Sequence, residues 1–348
     1  MMGPYRLQRF PSAAPGIALL ARLGAIVLAL LISALVLALT GAKPGALALQ
    51  VVTASFGSQF GLEDLGLLVT PLIFTGLSVA LALKIGAWNI GAEGQFYAGA
   101  FAASAVGLFL PVAEPLSLFL MLLAGLVGGA LWILIPTLAR AYAEVNELIT
   151  TLLMNFVAVL GVYYVSTGPW RAKGANSTTA RIPAEIPEFF GSLHWGLPAA
   201  VLLALLLALA LARSRFGYEV RLAGSNPQAA LYAGLPARRR LIAVMLAAGA
   251  LAGLGGMVEV AGTVHRLQGG LSNSYGYLGI MVAVLARGSL VGVVFSAALM
   301  AFILNAGIIL QTQGLTTSTV LAVTGLILFL TAIGDELAHY RLVRDARA

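Results

Sequence analysis

Ten apolar runs constrain this chain more than any single motif does. They lie at about 17–40, 65–83, 88–110, 116–138, 148–166, 196–212, 241–263, 276–287, 289–310 and 318–334. Most approach the roughly twenty residues that a helix needs to cross a bilayer. Apolar side chains make up 60% of the 348 residues and charged ones 9%, more apolar surface than a soluble domain can bury. Strict alternation over about ten residues, the mark of membrane barrel strands, is missing. The sequence therefore predicts an all-α polytopic membrane protein with about ten transmembrane helices. The first run is too long for a secretory leader and reads as a retained span.

The charges say which way the helices thread. With these spans, fifteen of the 20 Lys and Arg residues fall on one side, leaving only Lys43, Arg171, Lys173, Arg181 and Arg266 on the other. Basic loops stay cytoplasmic, so both termini are expected inside. The net charge of +7 is then a topology signal and no sign of nucleic-acid binding. There is no cysteine, hence no disulfide framework. His194, His265 and His339 sit in separate segments without metal-ligand spacing. None of the three lysines (Lys43, Lys84, Lys173) belongs to a P-loop, and no Ser/His/Asp or paired-carboxylate set exists. Neither catalytic residues nor a metal nor a bound cofactor is expected. Energy for any transport comes from an ion gradient or from a partner.

Residues 41–64 and 167–195 read as outer loops, the second rich in turn residues and solvated. The chain reads as a single transmembrane domain over 1–348: an N-terminal lead with first span and outer loop (1–64), a core (65–335) and a cytoplasmic tail (336–348). Two places interrupt the apolar pattern in comparable ways, K-I-G-A-W-N-I-G-A-E-G-Q at 84–95 and H-R-L-Q-G-G-L-S-N-S-Y-G-Y at 265–277. Five spans separate them, so they enter the membrane from opposite sides. Interrupted segments at matching points of two inverted halves mark a transport pathway, which predicts an inverted repeat of two five-helix halves.

Polar residues in these spans need a reason, because hydrocarbon offers no hydrogen-bond partners. Glu93 follows Gly91 and precedes Gly94. Either a broken helix lets Trp88, Asn89, Glu93 and Gln95 line or brace a pathway, or Glu93 faces water at an interfacial helix start. Glu147, Thr151 and Asn155 share one helix face; the threonines read as helix–helix glue and Asn155 as cavity-facing. Glu259 is expected to pair with Arg266. Tyr275 and Tyr277 serve as interfacial anchors or stack on an aromatic ligand.

Between two spans, R-S-R-F-G-Y-E-V-R-L-A-G-S-N-P-Q-A-A-L-Y-A-G-L-P-A-R-R-R at 213–240 reads as a basic loop with a short helix inside it. Asn226 caps it, Pro227 takes the first helical position, Gly234 suits a left-handed stop and Pro236 prevents resumption. Ala229, Ala230 and Ala233 form a small-side-chain surface. Two turns are too short to be stable alone, so the helix is expected to dock on a cytoplasmic partner, with Arg221 and Gly224 in the same segment.

Four stretches carry a family resemblance: N-I-G-A-E-G-Q-F-Y-A-G-A at 89–100, N-E-L-I-T-T-L-L-M-N at 146–155, G-S-N-P-Q-A-A-L-Y-A-G at 224–234 and Y-G-Y-L-G-I-M-V-A-V-L-A-R at 275–287. In order and spacing, over roughly 65–335, the chain resembles permease subunits of ABC importers of the branched-chain amino acid, simple sugar and nucleoside group. It is most similar to the longer nucleoside-uptake type, and departs from it at Trp88, where Phe is commoner. The resemblance implies a multi-pass subunit in a bacterial-type plasma membrane, paired with a second related permease. It also implies a cytoplasmic ATPase with two cassettes that holds ATP and Mg, and an extracytoplasmic binding (lipo)protein that delivers a small molecule. The 224–234 segment then docks on the ATPase. A simple sugar permease and a gradient-driven secondary transporter are the alternatives; the latter needs Glu93 and Glu259 as its ion-binding acids.

Overall fold

The computed structural model describes residues 5–9, 15–39, 41–337 and 340–344. Of the residues singled out above, His339 lies outside this range, as does the tail beyond Arg344. Thirteen α-helices dominate the described residues. They are α1 (Pro15–Leu39), α2 (Pro44–Phe56), α3 (Gln59–Lys84), α4 (Ala92–Phe109), α5 (Glu114–Ala143), α6 (Glu147–Thr167) and α7 (Gly196–Arg213). The rest are α8 (Arg215–Ser225), α9 (Pro227–Tyr232), α10 (Ala237–Val258), α11 (Tyr275–Leu285), α12 (Leu290–Thr312) and α13 (Thr317–Leu337). α10 continues through a π-helical turn, Glu259–Thr263. Every apolar run coincides with a helix. The stretch expected as outer loop at 41–64 is instead mostly α2 and the start of α3.

Among the described residues six helices are long and apolar enough to cross a membrane, or seven if bent α1 and α2 are taken as one span. Ten full spans are therefore not what length and apolarity support. α11 has 11 residues, about 16 Å of helix, half of a hydrocarbon core of about 30 Å. α4 gives up its first turn to the break at 85–91 and opens with Glu93 and Gln95.

The chain divides into two compact units. In the first, built from the described parts of Met1–Gly61 and Ile303–Ala348, α1 packs on α13. Strand β1 (Tyr5–Arg9) pairs antiparallel with β4 (Tyr340–Arg344), with Leu7 opposite Leu342. Asn305 donates to the Ser55 hydroxyl at 3.1 Å, both groups buried.

The second unit, Leu62–Phe302, is organised by glycine. α4, α5 and α10 cross so closely that a Cβ on Gly99 would lie 2.2 Å from the Gly253 carbonyl oxygen, and one on Gly253 would lie 2.3 Å from that of Gly125. Without a hydrophobic drive between helices in lipid, such backbone approach supplies the dispersion contact that holds them. The end of this unit that carries Lys84, Arg140, Arg221, Arg238 and Arg240 is stitched by aromatic and ionic contacts. Arg140 pairs with Glu147 at 3.2 Å, Arg240 with Glu219, and the Arg238 guanidinium lies 4.8 Å from the Tyr142 ring.

At the opposite end, most of the 167–195 segment is exposed, as expected of a solvated loop, but part of it packs as a strap. Its backbone runs along the end of α10: Ile186 N–H donates to Ala261, Ile182 to His265 and Thr179 to Leu267. Thr179, Ile182 and Ala184 are buried. Strands β2 (Glu188–Phe190) and β3 (Leu193–His194) close it, and Glu63 accepts both the N–H and the hydroxyl of Ser192. His194 is fully buried. Its Nδ1 accepts the Gly196 N–H at 3.1 Å, which places the ring proton on Nε2, 3.3 Å from the Thr263 hydroxyl.

Two outcomes test this packing. Gly253→Ala drives a methyl into the Gly125 carbonyl and is expected to lower stability by about 1–3 kcal/mol, whereas Gly161→Ala, with open space around it, leaves the thermal midpoint unchanged or raised. Burial, and secondly His265, lowers the His194 pKa from 6.5 to about 4. Between those values the unfolded chain binds a proton that the folded one does not, so stability rises with pH from about 4 to about 6.5 and levels off above. Thermal midpoints measured across that window should show the slope, and His194→Gln should flatten it.

Candidate functional site

A helix start leaves its first N–H groups without intrahelical partners. The second unit has two such starts in its interior, at α4 and α11, and supplies each with acceptors. Gly94 N–H of α4 donates to Asn155 Oδ1 at 2.8 Å, from α6. Asn155 also donates to the Ile90 carbonyl (2.9 Å) and to the Tyr277 hydroxyl (3.3 Å). For α11, Tyr275 N–H is met by Ser272, through its carbonyl at 2.8 Å and its hydroxyl at 3.0 Å. Gly276 N–H donates to Glu93 Oε2 at 2.8 Å, and the same carboxylate accepts from the Tyr277 N–H and the Ser272 hydroxyl.

The two starts thus meet head to head. A Cβ on Gly276 would lie 2.2 Å from Glu93 N, so only glycine permits the approach. α3 ends at Lys84 on the arginine-rich end and α10 ends at the strapped end. The two breaks therefore come in from opposite sides, as the sequence pattern predicts. Two positive helix ends converge here on one carboxylate, which the dipoles favour.

Of the pathway residues read from sequence, the structure gathers Asn89, Glu93, Gln95, Asn155, Tyr275 and Tyr277 around this junction. Most are bracing. Asn89 and Gln95 exchange two side-chain hydrogen bonds (2.8 and 2.7 Å), and Asn89 reaches Ser78 at 3.0 Å. Asn89, Gln95 and Asn155 are no more than 1% exposed, Glu93 and Tyr275 4%. Glu93 is thus inside and not in interfacial water. Asn155 is enclosed by protein groups, where an open cavity wall was expected. Tyr277 is half-buried and Trp88 40% exposed. The threonines do not glue helices: Thr151 bonds back to the Glu147 carbonyl of its own helix at 2.6 Å.

Glu259 is corrected too. It is 3% exposed and accepts from the Thr263 hydroxyl within its π turn; among the described residues no ion pair joins it to Arg266, which is exposed. Ser78 escaped the sequence reading, because a serine in an apolar span has no distinguishing pattern; Ser272 and Gly276 lie in the 265–277 interruption, but nothing in it assigned them to Glu93. Trp132 escaped it too; its buried Nε1 has no acceptor and lies near the Gly94–Asn155 bond.

The docking segment has the expected local geometry with a different orientation. Asn226 caps α9 by accepting Ala229 N–H at 2.9 Å, Pro227 follows, and Gly234 takes φ +69°. Residues 215–225, expected as loop, form α8, capped by Ser214 through Gly217 N–H at 3.0 Å. α8 seats closely on the end of α3, where a Cβ on Gly224 would lie 2.2 Å from the Lys84 carbonyl oxygen. Arg221 donates to the Leu211 carbonyl. Ala230 is fully buried and Ala229 half-buried, so the alanine surface turns mainly inward. Leu231 (72% exposed), Tyr232 (91%) and Ala233 face out.

Comparison with known proteins gives a consistent grouping. The family model for the branched-chain amino acid transport system / permease component matches residues 61–332. The glucose ABC transporter permease protein TsgB13 of Haloferax volcanii is 34% identical over 82% of this chain and 79% of its own length. The guanosine ABC transporter permease protein NupP of Bacillus subtilis is 33% identical, over 81% of this chain and 83% of its own. The nucleoside ABC transporter permease protein NupB of Lactococcus lactis is 29% identical, over 89% of each.

Asn155→Leu leaves the buried Gly94 N–H unpaired, worth about 1–3 kcal/mol, and removes the partner of the half-buried Ile90 carbonyl. It is expected to lower the thermal midpoint of the purified chain clearly, while Thr151→Val, which removes only a bond within one helix, lowers it much less.

Proposed function

Because the chain belongs to the branched-chain amino acid transport system / permease component family, and so is an ABC permease of the membrane, we propose that it forms the translocation path of an ATP-driven importer of nucleosides. The observation that supports a path is the pair of helices that start in the interior, α4 and α11, joined head to head through Glu93 and Gly276. Trp88 and Tyr277 present aromatic surface beside them, suited to stacking on a base. The nucleoside class follows the relatives from Bacillus subtilis and Lactococcus lactis. The glucose permease relative, at comparable identity, favours a sugar as the second reading.

The wider assembly belongs to the same proposal. Residues 65–335 form the permease core, flanked by the lead 1–64 and the tail 336–348, with both termini cytoplasmic in a bacterial-type plasma membrane. A second related permease completes the path, an extracytoplasmic binding protein delivers the ligand, and a two-cassette ATPase hydrolyses ATP with Mg. The arginine-rich end faces that ATPase. There α9 offers Leu231 and Tyr232, held by Asn226, Pro227 and Gly234, while Gly224 seats α8 on the end of α3, Arg221 ties it to α7, and the two carry its motion to the bundle.

Reconstituted with its partners, the complex is expected to take up labelled guanosine or adenosine in an ATP-dependent manner. Uptake confined to glucose or ribose would establish the sugar reading instead. For coupling, Tyr232→Ala removes an exposed aromatic anchor, and such anchors are typically worth 2 kcal/mol or more, about thirtyfold in affinity. Reduced co-purification of the ATPase at unchanged thermal midpoint is the expected result. Ala230→Glu tests something else: it forces a charge into the protein's own packing and lowers the midpoint itself. An intact complex with Tyr232→Ala would remove α9 from the interface.

A further inference from the structure

At the arginine-rich end, away from the α4–α11 junction, a cavity of about 220 Å³ opens among the ends of α3, α7, α8 and α12. Leu211, Val220, Leu290 and Val291 contribute apolar wall; Lys84, Arg221 and Ser289 contribute polar atoms. Lys84 and Arg221 stand near enough for their charges to oppose one another. Among the described residues neither has a carboxylate partner: Arg221 donates to the Leu211 carbonyl, and Lys84 joins no ion pair. Ser289 caps α12 by accepting Gly292 N–H at 3.0 Å, so the positive end of that helix dipole lies in the same wall. Three positive contributions converge on a half-enclosed apolar space. A fold tolerates that arrangement when an anion completes it.

The surroundings choose the anion. Above the cavity, α7 exposes Leu202, Leu205, Leu206 and Leu209, each about half exposed, and α12 exposes Phe295 at 74%. These faces belong to helices long and apolar enough to cross the bilayer, and both helices reach the cavity at its cationic end, so they offer apolar surface to acyl chains. Anionic headgroups gain about 1 kcal/mol for each lysine or arginine held near the membrane surface. We propose that this cavity binds the phosphate of an anionic membrane lipid, with Lys84 and Arg221 on the headgroup and the α7 and α12 faces along its acyl chains. A free phosphate ion shares the headgroup chemistry but has no use for the apolar surface. Because α8 forms one wall and leads into α9, the lipid braces the segment proposed to receive the ATPase.

The test is lipid retention by the full chain, read by native mass spectrometry and by thermal shift. The probes are phosphatidylglycerol, phosphatidylcholine and inorganic phosphate. Phosphatidylglycerol is expected to stay bound and raise the midpoint, with phosphatidylcholine and inorganic phosphate weaker. Lys84→Gln should lower phosphatidylglycerol affinity about fivefold, and Lys84→Arg should keep it. Val291→Glu places a carboxylate in the first turn of α12, where the dipole favours it, and should displace the lipid in a folded protein. Phosphatidylcholine retained equally well, or indifference to both Lys84→Gln and Val291→Glu, overturns the proposal. Inorganic phosphate that stabilises as strongly and competes the lipid away leaves a phosphate site and overturns its assignment to lipid.

Discussion

Two helices begin in the interior of this protein, where hydrocarbon offers nothing to satisfy their N–H groups. Each start survives because a side chain from another helix reaches it. Asn155 of α6 meets the start of α4, and Glu93 of α4 meets the start of α11. An unmet N–H in such a setting costs about as much as a lost hydrogen bond, so the two residues are conditions for the break as much as consequences of it. The chain is also linked in order: α6 holds α4, and α4 holds α11. The Gly276 and Tyr277 N–H groups share the Glu93 carboxylate, so α4 and α11 separate only by giving up both bonds.

Around it, the glycine crossings of α4, α5 and α10 set what can move. Backbones this close have no side chains to slide over one another, and a shift of less than an ångström meets carbonyl oxygens. Two close-packed pieces connect the arginine-rich end to the rest of the unit. One is α8 on the end of α3, across Gly224; the other is α10, which begins at Arg238 and Arg240 and ends in the π turn beside His194. The unpaired Trp132 Nε1, close to Asn155, is a donor that a rearranged junction could use.

The two ends of the second unit solve opposite electrostatic problems. At the strapped end Arg181 pairs with Glu185 at 2.6 Å, and burial holds His194 uncharged near neutral pH. At the other end cations outnumber their partners. Arg140 and Arg240 find carboxylates, Arg238 finds an aromatic face, and Lys84 and Arg221 are left sharing a cavity. Such an excess of basic residues is the kind that orients a polytopic chain during insertion.

What could be read without coordinates was whatever leaves a mark at short range. The apolar runs located ten of the thirteen described helices, since an apolar run is visible along the chain whatever the packing, although only six or seven are long and apolar enough to span. Asn226, Pro227 and Gly234 marked α9 because capping is chemistry between neighbours, and the two Gly-rich interruptions marked α4 and α11 because a broken span needs flexible backbone. Contacts made across long stretches of sequence left no such mark. That α11 reaches only half the membrane, that Asn155 lies against Gly94 rather than facing a cavity, that Glu259 turns inward from Arg266, and that Ala230 is buried while Tyr232 is exposed are decided by which helices pack together. The same polar residue in a span serves equally well as pathway wall or as brace. Only tertiary structure says which, because hydrogen-bond satisfaction depends on neighbours that sequence spacing does not name.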